Sequence, residues 1–415
     1  MIDFRKSLDK PIPAKLSRRQ RRYFNRCKER LASRIKNNEQ HNYNNMLDRN
    51  VIFDTIKLCL RGVRWKSSVG VWDLTPLQHT LNIEKTLLNK DFYCCKRTSH
   101  TIYERGKRRD INAVNTYERV IQKLLCQQVV NPILFKTLIH QNCASQKNKG
   151  TDFALNLTKK YIKEEIKQNK EIYYLKMDFT KYFASIPHDI LFSEVCHYIF
   201  DKDVLGLLEK MIVANGKTGL DLGSEINQTF AIYYTNKIDH LIKDKFRFKH
   251  YVRYMDDAII FSSDINKIKL CLEEIKKISC FLKLKLSKNK TKIGKLSKSV
   301  IFLKTKYQII NNKLKISALN NIYHRQRRKI KRMLNLLNKP NHKITIEDIF
   351  KSNQCWEASM IKKNGWKYIN KIRAFIDDTI RDFIIKFSEQ LCVKTWLTLL
   401  YEVKLCQKNN TKNQN

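Results

Sequence analysis

Residues 251–261, Tyr-Val-Arg-Tyr-Met-Asp-Asp-Ala-Ile-Ile-Phe, set two adjacent carboxylates, Asp256 and Asp257, between two apolar, β-prone runs. That pattern predicts a β-hairpin with the acids at its turn. A third acid, Asp178, closes another apolar run in Tyr-Tyr-Leu-Lys-Met-Asp-Phe, residues 173–179. Charges in such places need partners. In a chain of formal net charge +43, a divalent cation that also holds a phosphate suits them. Two strand-borne acidic sites can hold two Mg²⁺ ions roughly 3.5–4 Å apart, the arrangement for in-line phosphoryl or nucleotidyl transfer.

The chain has 415 residues, room for two or three subdomains, and an ordinary apolar fraction of 42%. Its 82 Lys and Arg against 39 Asp and Glu are unevenly spread. Residues 1–50 hold 14 basic and 5 acidic side chains, and residues 281–340 hold 18 basic and no acidic ones. Such an excess implies a polyanionic partner, because each neutralised phosphate releases counterions. A coding bias toward Lys and Asn does not explain arginine clusters such as Arg325, Arg327 and Arg328, so nucleic acid is the expected partner. The 12 cysteines are scattered without a C-x-x-C pair, and Cys94 and Cys95 are adjacent. This argues against a zinc site or a disulfide framework and for thiols in a reducing compartment. No signal-like segment and no 18-residue apolar run is present, so the expectation is a soluble, cytoplasmic protein with no membrane contact.

Along the chain, residues 14–38 read as a basic helix with Ser17 as its cap, and the Asn-rich stretch 41–50 as a joint. Residues 51–62 read as helix, 92–115 as a hairpin carrying Tyr-Glu-Arg-Gly-Lys-Arg-Arg, and 118–138 and 151–168 as helices. From 171 the pattern becomes strand, helix, helix, strand-turn-strand, which is α+β rather than βαβ repetition. Residues 318–338 are amphipathic: Leu319, Ile322, Tyr323, Ile330, Met333, Leu334 and Leu337 share one face, and Arg325, Arg327, Arg328, Lys329, Lys331 and Arg332 the other. Pro340 ends that helix, helices continue to about residue 400, and a polar tail is expected to be disordered.

The order of motifs resembles the reverse transcriptase family, specifically bacterial enzymes related to group II intron reverse transcriptases, over roughly residues 60–310. The matching blocks are Arg61–Trp65, Tyr103–Arg109, Glu118–Gln122, Asn142–Gly150, Asp178-Phe179 with Tyr182-Phe183 and Ser185–His188, Gly219–Ser224 with Asn227-Gln228, Tyr254–Asp257, Lys290–Ile293 and Phe302–Lys304. The resemblance implies a right-hand polymerase. Its fingers would span 51–170, its palm 171–310, and a helical thumb with an extension 311–400. A basic RNA-binding extension would precede them over 1–50, and a polar tail would follow over 401–415.

The resemblance also implies roles. Asp178 and Asp256 would bridge two Mg²⁺ ions (Mn²⁺ can substitute), Asp257 would support them or the primer end, and the Phe179 carbonyl would complete a coordination shell. Phe183 would abut the sugar 2′ carbon and exclude ribonucleotides. Lys107 and Arg109 would clamp the triphosphate, with Arg105 and Arg108 as alternatives, and Lys290 would serve the leaving pyrophosphate. Gln228, with Asn227, would contact template or the nucleotide pocket. Arg18, Arg19, Arg21 and Arg22 would hold RNA, and Arg325, Arg327, Arg328, Lys331 and Arg332 would ride on the template–primer backbone.

Three departures stand out: Asp221-Leu222-Gly223 in place of Pro-Gln-Gly, Asn227-Gln228 in place of Ser-Gln, and Phe302-Leu303-Lys304 in place of Phe-Leu-Gly. The lost glutamine resembles diversity-generating retroelement enzymes and bears on fidelity. The expected function is an RNA-directed DNA polymerase that copies a dedicated noncoding RNA, serving anti-phage defence. An error-prone diversity-generating enzyme and a non-catalytic RNA-binding maturase are the alternatives. Its partners would be template RNA, dNTPs, the DNA product and RNA–DNA hybrid, with a homo-oligomer or accessory protein left open.

Overall fold

Ser17 starts the described chain with a reciprocal cap. Its Oγ accepts from the Gln20 backbone N–H at 3.3 Å, and its own N–H donates to Gln20 Oε1 at 2.9 Å. Helix α1 (Arg18–Gln40) follows. The computed structural model describes residues 17–104, 106–168, 171–213, 216–337 and 343–388, with the backbone alone of Glu104, Lys107, Val213 and 383–388. Residues 1–16, Arg105, the helix stop at Pro340, residues 389–400 and the polar tail lie outside the described residues.

Most of α1 is exposed, and its C-terminal end is anchored. Asn37 and Asn38 are buried, and Asn38 donates to the Tyr198 carbonyl and accepts from the Phe200 N–H, each at 2.9 Å. The stretch read as a joint is instead packed. Asn42 caps a short 3₁₀ turn by accepting from Asn44 N–H at 3.0 Å. That satisfies the backbone locally and lets Tyr43 and Met46 enter the core. The Tyr43 hydroxyl donates to the Leu87 carbonyl at 2.8 Å.

Helices α2 (Arg49–Leu60), α3 (Ser67–Leu74) and α4 (Pro76–Asn89) precede an antiparallel hairpin of β1 (Thr98–Glu104) and β2 (Lys107–Ala113). Helix α5 (Thr116–Leu125), capped by Asn115, does not run straight on to 138. A π-type turn at Cys126–Val130 joins it to α6 (Asn131–Leu134). Pro132 has no N–H to offer the Gln128 carbonyl, and the His41 ring takes that oxygen at 3.1 Å. Then come α7 (Thr151–Gln168), β3 (Tyr173–Met177), α8 (Tyr182–Ser185), α9 (His188–Cys196), α10 (Lys202–Val213), α11 (Glu225–Tyr234), α12 (Asn236–His240), β4 (His250–Tyr254), β5 (Asp257–Ser262), α13 (Ile265–Phe281) and β6 (Lys292–Lys295).

The strand order is β4-β5-β3-β6, with β5 antiparallel to both of its neighbours. Ala258, Ile259, Ile260 and Phe261 are all buried, as expected of a continuous apolar run covered on both faces.

The chain divides into two compact units. The first holds the described residues up to Tyr161 and Tyr173–Ile293, and the second holds Ile162–Ile172 and the described residues from Gly294 on. The second contains a three-stranded antiparallel sheet, β7 (Val300–Phe302), β8 (Thr305–Ile310) and β9 (Lys313–Ala318), and helices α14 (Asn320–Leu337), α15 (Ile346–Ile361) and α16 (Trp366–Ser388). Ile330, Leu334, Ile349, Ile372 and Ile376 form its helical core. Among the described residues no helix is long and apolar enough to cross a membrane.

Candidate active site

Sheet register brings the acids together. Met177 pairs with Ala258, so Asp178, one residue beyond β3, comes opposite Asp257. Across β4–β5, Tyr254 pairs with Asp257, leaving Met255 and Asp256 as the turn. Met255 has φ 55°, in the left-handed region that a non-glycine residue rarely occupies. The backbone around Asp178 is pinned as well. Ser287 N–H donates to the Asp178 carbonyl and Thr180 N–H to the Lys285 carbonyl, each at 2.8 Å. Phe179, buried, forms a bridge with Leu286.

Three cations face these carboxylates. Lys290 Nζ donates to both Asp178 oxygens, at 2.8 and 2.9 Å. Lys176 Nζ lies 3.6 Å from Asp257 Oδ1. Burial pushes the Asp256 carboxyl above its ordinary value and Asp178 adds to that, while Lys290 and Arg109 pull it back. Asp257 is pushed up to about 6, chiefly by burial, against Lys176 and with Asp178 and Asp256 adding. Three like charges in a partly desolvated site therefore lack full compensation.

The donor chemistry fits a hard divalent cation. All donors are oxygens, and Asp257 Oδ1 is buried with no hydrogen-bond partner. As the side chains are oriented, no three His, Cys, Asp or Glu among the described residues already enclose an ion.

One participant escaped the sequence reading. Arg253 on β4 is 2% exposed and grips Asp239, 0% exposed, through Nε to Oδ1 at 2.8 Å and Nη2 to Oδ2 at 2.6 Å. The Tyr251 hydroxyl also donates to Asp239 Oδ1, at 2.7 Å. The signal was available: an arginine inside a strand that is otherwise apolar requires a buried acid.

The loop 216–224 bonds to the short helix that follows Asp178. Gly219, with φ 94°, passes so close to Ala184 that a Cβ would meet its carbonyl at 3.3 Å. This approach lets Leu220 N–H bond the Phe183 carbonyl at 2.8 Å. Phe183 is half-buried, its ring edge-on to Tyr182. Asp221, the first departure, ties the hairpin to the loop: Arg97 and Asn112 both donate to its carboxylate, Asn112 at 2.8 Å. Arg97 also pairs with buried Glu118 at 3.3 Å. Asn227 is buried and donates to the Asp221 carbonyl at 3.2 Å. Gln228 is exposed and lines a polar cavity of about 310 Å³ together with Arg119 and Gln122.

On β2, Arg109 is exposed, and its charge reaches Asp256. Arg108 is instead paired with Asp110 at 3.1 Å. The side chain of Lys107 lies outside the described residues. Arg18, Arg19, Arg21 and Arg22 stand exposed on α1 in the first unit. Arg325, Arg327, Arg328, Lys331 and Arg332 stand exposed on α14 in the second, with Ile330 and Leu334 buried on the other face. The ten described cysteines are all free.

An antiparallel sheet with three aspartates at one strand end, preceded by a basic hairpin and followed by a helical unit, is the α+β fold of a right-hand polymerase. Residues 95–338, more than half of the chain, match the family described as reverse transcriptase (RNA-dependent DNA polymerase). The chain belongs to that family. No curated protein matches it. Among solved structures, it is similar to telomerase from Candida albicans in complex with a TWJ fragment of telomeric RNA. Identity is 13%, the TM-score is 0.42, and the match covers 75% of this chain and 65%, under two thirds, of that one.

Proposed function

We propose that this chain copies an RNA template into DNA by two-metal nucleotidyl transfer. The reading rests on one observation: strand register sets Asp178, Asp256 and Asp257 side by side within the residues that match the family. Asp178 and Asp256 would hold two Mg²⁺, with Asp257 and the Phe179 carbonyl completing the oxygen set. Bound Mg²⁺ lowers the pKa of the primer 3′-hydroxyl and neutralises charge on the leaving pyrophosphate. The protein's own groups orient the rest. Arg109 and Lys107 clamp the triphosphate, the Lys290 ammonium turns from Asp178 to the leaving pyrophosphate, Phe183 excludes the 2′-hydroxyl, and Gln228 meets the template from its cavity. In this reading residues 51–170 are fingers, 171–310 palm and 311–400 thumb. The arginines of α1 hold structured RNA, and those of α14 track the template–primer backbone.

The motif order supports a place in the group II intron-like lineage of bacterial enzymes, with a dedicated noncoding RNA as template and anti-phage defence as the role. Leu222, at the position of the family's glutamine, favours a second reading as an error-prone, diversity-generating enzyme. With Mg²⁺ and a primed RNA, purified protein should incorporate dNTPs. Asp256→Ala/Asp257→Ala should abolish incorporation while RNA binding persists, and equal incorporation by that variant would refute the proposal. Sequencing the copurifying nucleic acid separates the two biological roles: a single noncoding RNA supports defence, and a repeat related to a variable gene supports diversification.

A further inference from the structure

We infer that Arg253 is the positioning residue of the catalytic turn: held by Asp239, its guanidinium grips the Met255 carbonyl and so fixes where the Asp256 and Asp257 carboxylates stand. For its catalytic consequence this rests on the polymerase reading.

The geometry is that of a clamp. Asp239 fixes the plane of the guanidinium, because Nε and Nη2 engage its two oxygens as a fork. Nη2 also donates to the Ile232 carbonyl at 2.7 Å, which ties the fork to α11. The remaining nitrogen, Nη1, donates to the Met255 carbonyl at 3.1 Å. Arg253 is itself held at both backbone groups: its N–H donates to the Gln141 carbonyl at 3.1 Å, and its carbonyl accepts from Cys143 N–H at 2.9 Å.

A second observation points the same way. Met255 sits at φ 55°. A non-glycine residue in that region is strained and persists where its surroundings hold it. The strained residue immediately precedes Asp256, and its carbonyl is the one that the guanidinium grips. Stability alone is a weak reason for such a pair, since apolar replacements of buried ion pairs are often neutral or better. A contact aimed at the turn supplies the missing reason.

The test is Arg253→Lys. An ammonium keeps the charge beside Asp239 but cannot serve Asp239, the Ile232 carbonyl and the Met255 carbonyl in one plane. The expected result is a fall in kcat of about tenfold or more, with KM for dNTP and Kd for primed RNA within about twofold of the parent. Mn²⁺ binding to the protein alone should weaken several-fold. Adding Met255→Gly, which removes the strain, should recover part of both losses. Ile275→Ala, a core cavity variant far along α13 in sequence, should lower thermal stability without moving kcat per folded molecule or Mn²⁺ affinity. If Arg253→Lys does not fold, Arg253→Met/Asp239→Leu removes both charges, and it should fold and show the same losses. Parental kcat and Mn²⁺ affinity in either variant would overturn the inference, as would equal losses in Ile275→Ala. Failure of the parent protein to extend primed RNA would instead strike the polymerase reading, and Mn²⁺ affinity would still judge the clamp.

Discussion

The acidic turn and the arginine face of α14 carry opposite charges under opposite conditions. At the turn a few charges are partly desolvated and each has an assigned neighbour: Lys290 on Asp178, Lys176 beside Asp257, Arg109 within reach of Asp256. Changing one of the carboxylates alters energies strongly, because they are partly withdrawn from water. On α14 the cations are more numerous and exposed. Charge on a bound polyanion would reach them screened by water, with a Debye length of about 10 Å at 0.1 M salt. In the proposed reading, buried charge sets geometry, and therefore rate, and exposed charge sets affinity and its salt dependence.

The comparison breaks first, if at all, at Asp178. Asp178→Asn should lower kcat on the order of 10³-fold or more. Affinity for primed RNA, and the slope of log K against log salt, should stay as in the parent; filter binding and single-turnover kinetics read the two separately. The converse is Arg325→Gln/Arg327→Gln/Arg328→Gln. Each phosphate contact contributes a slope of about −0.9 on duplex, so the triple variant should flatten the slope by about 2–3 and weaken binding about tenfold or more at 0.15 M salt. Its kcat at saturating primed RNA should be unchanged. An unaltered slope would mean that this face is only solvated, and the contrast between the two regions would fail.

Phe183→Ala sharpens the comparison on an uncharged residue. Its ring is braced edge-on by Tyr182, and its carbonyl by Leu220, so truncation opens space without moving the loop. Ribonucleotide use should rise about tenfold relative to deoxynucleotide use, measured as the ratio of kcat/KM values. An unchanged ratio would leave Phe183 as a core aromatic.

What could be read from the sequence follows from range. The hairpin with acids at its turn, the cap at Ser17 and the two faces of α14 depend on residues two to eight apart, and local periodicity encodes them. Pairing of Arg253 with Asp239 does not depend on period. The acid lies on a helix, the arginine on a strand, and only the fold brings them together. The Asn-rich stretch misled because asparagine favours turns in general, whereas here it caps a turn whose Tyr43 and Met46 are core.

Strands β7–β9 were hidden by their lysines, although Asn311-Asn312 was a legible hairpin signal: φ is 48° and 58° there. Lys304, the third departure, sits at φ 59° in the preceding turn, so it carries backbone strain.

The smallest effect tests whether the burial rule extends to a group midway between the two regimes. His79 on α4 stacks on Trp72 with ring centroids 3.9 Å apart and planes 9° from parallel. Its Nε2 is buried without a hydrogen-bond partner. Burial holds its pKa below the ordinary 6.5. The sign follows: the unfolded chain takes up the proton first as pH falls, so the stability from neutral His79 is present above pH 6.5 and is lost as pH drops through the lower folded value. Urea midpoints at pH 7.5 and 5.5 should therefore diverge less in His79→Phe than in the parent. Trp72 fluorescence, isolated as the difference from Trp72→Phe, should titrate with a midpoint below 6.5. A midpoint at or above 6.5 would show that stacking on the indole face favours the imidazolium more than burial opposes it. Half-buried charge in this fold would then behave like the exposed set rather than the buried one.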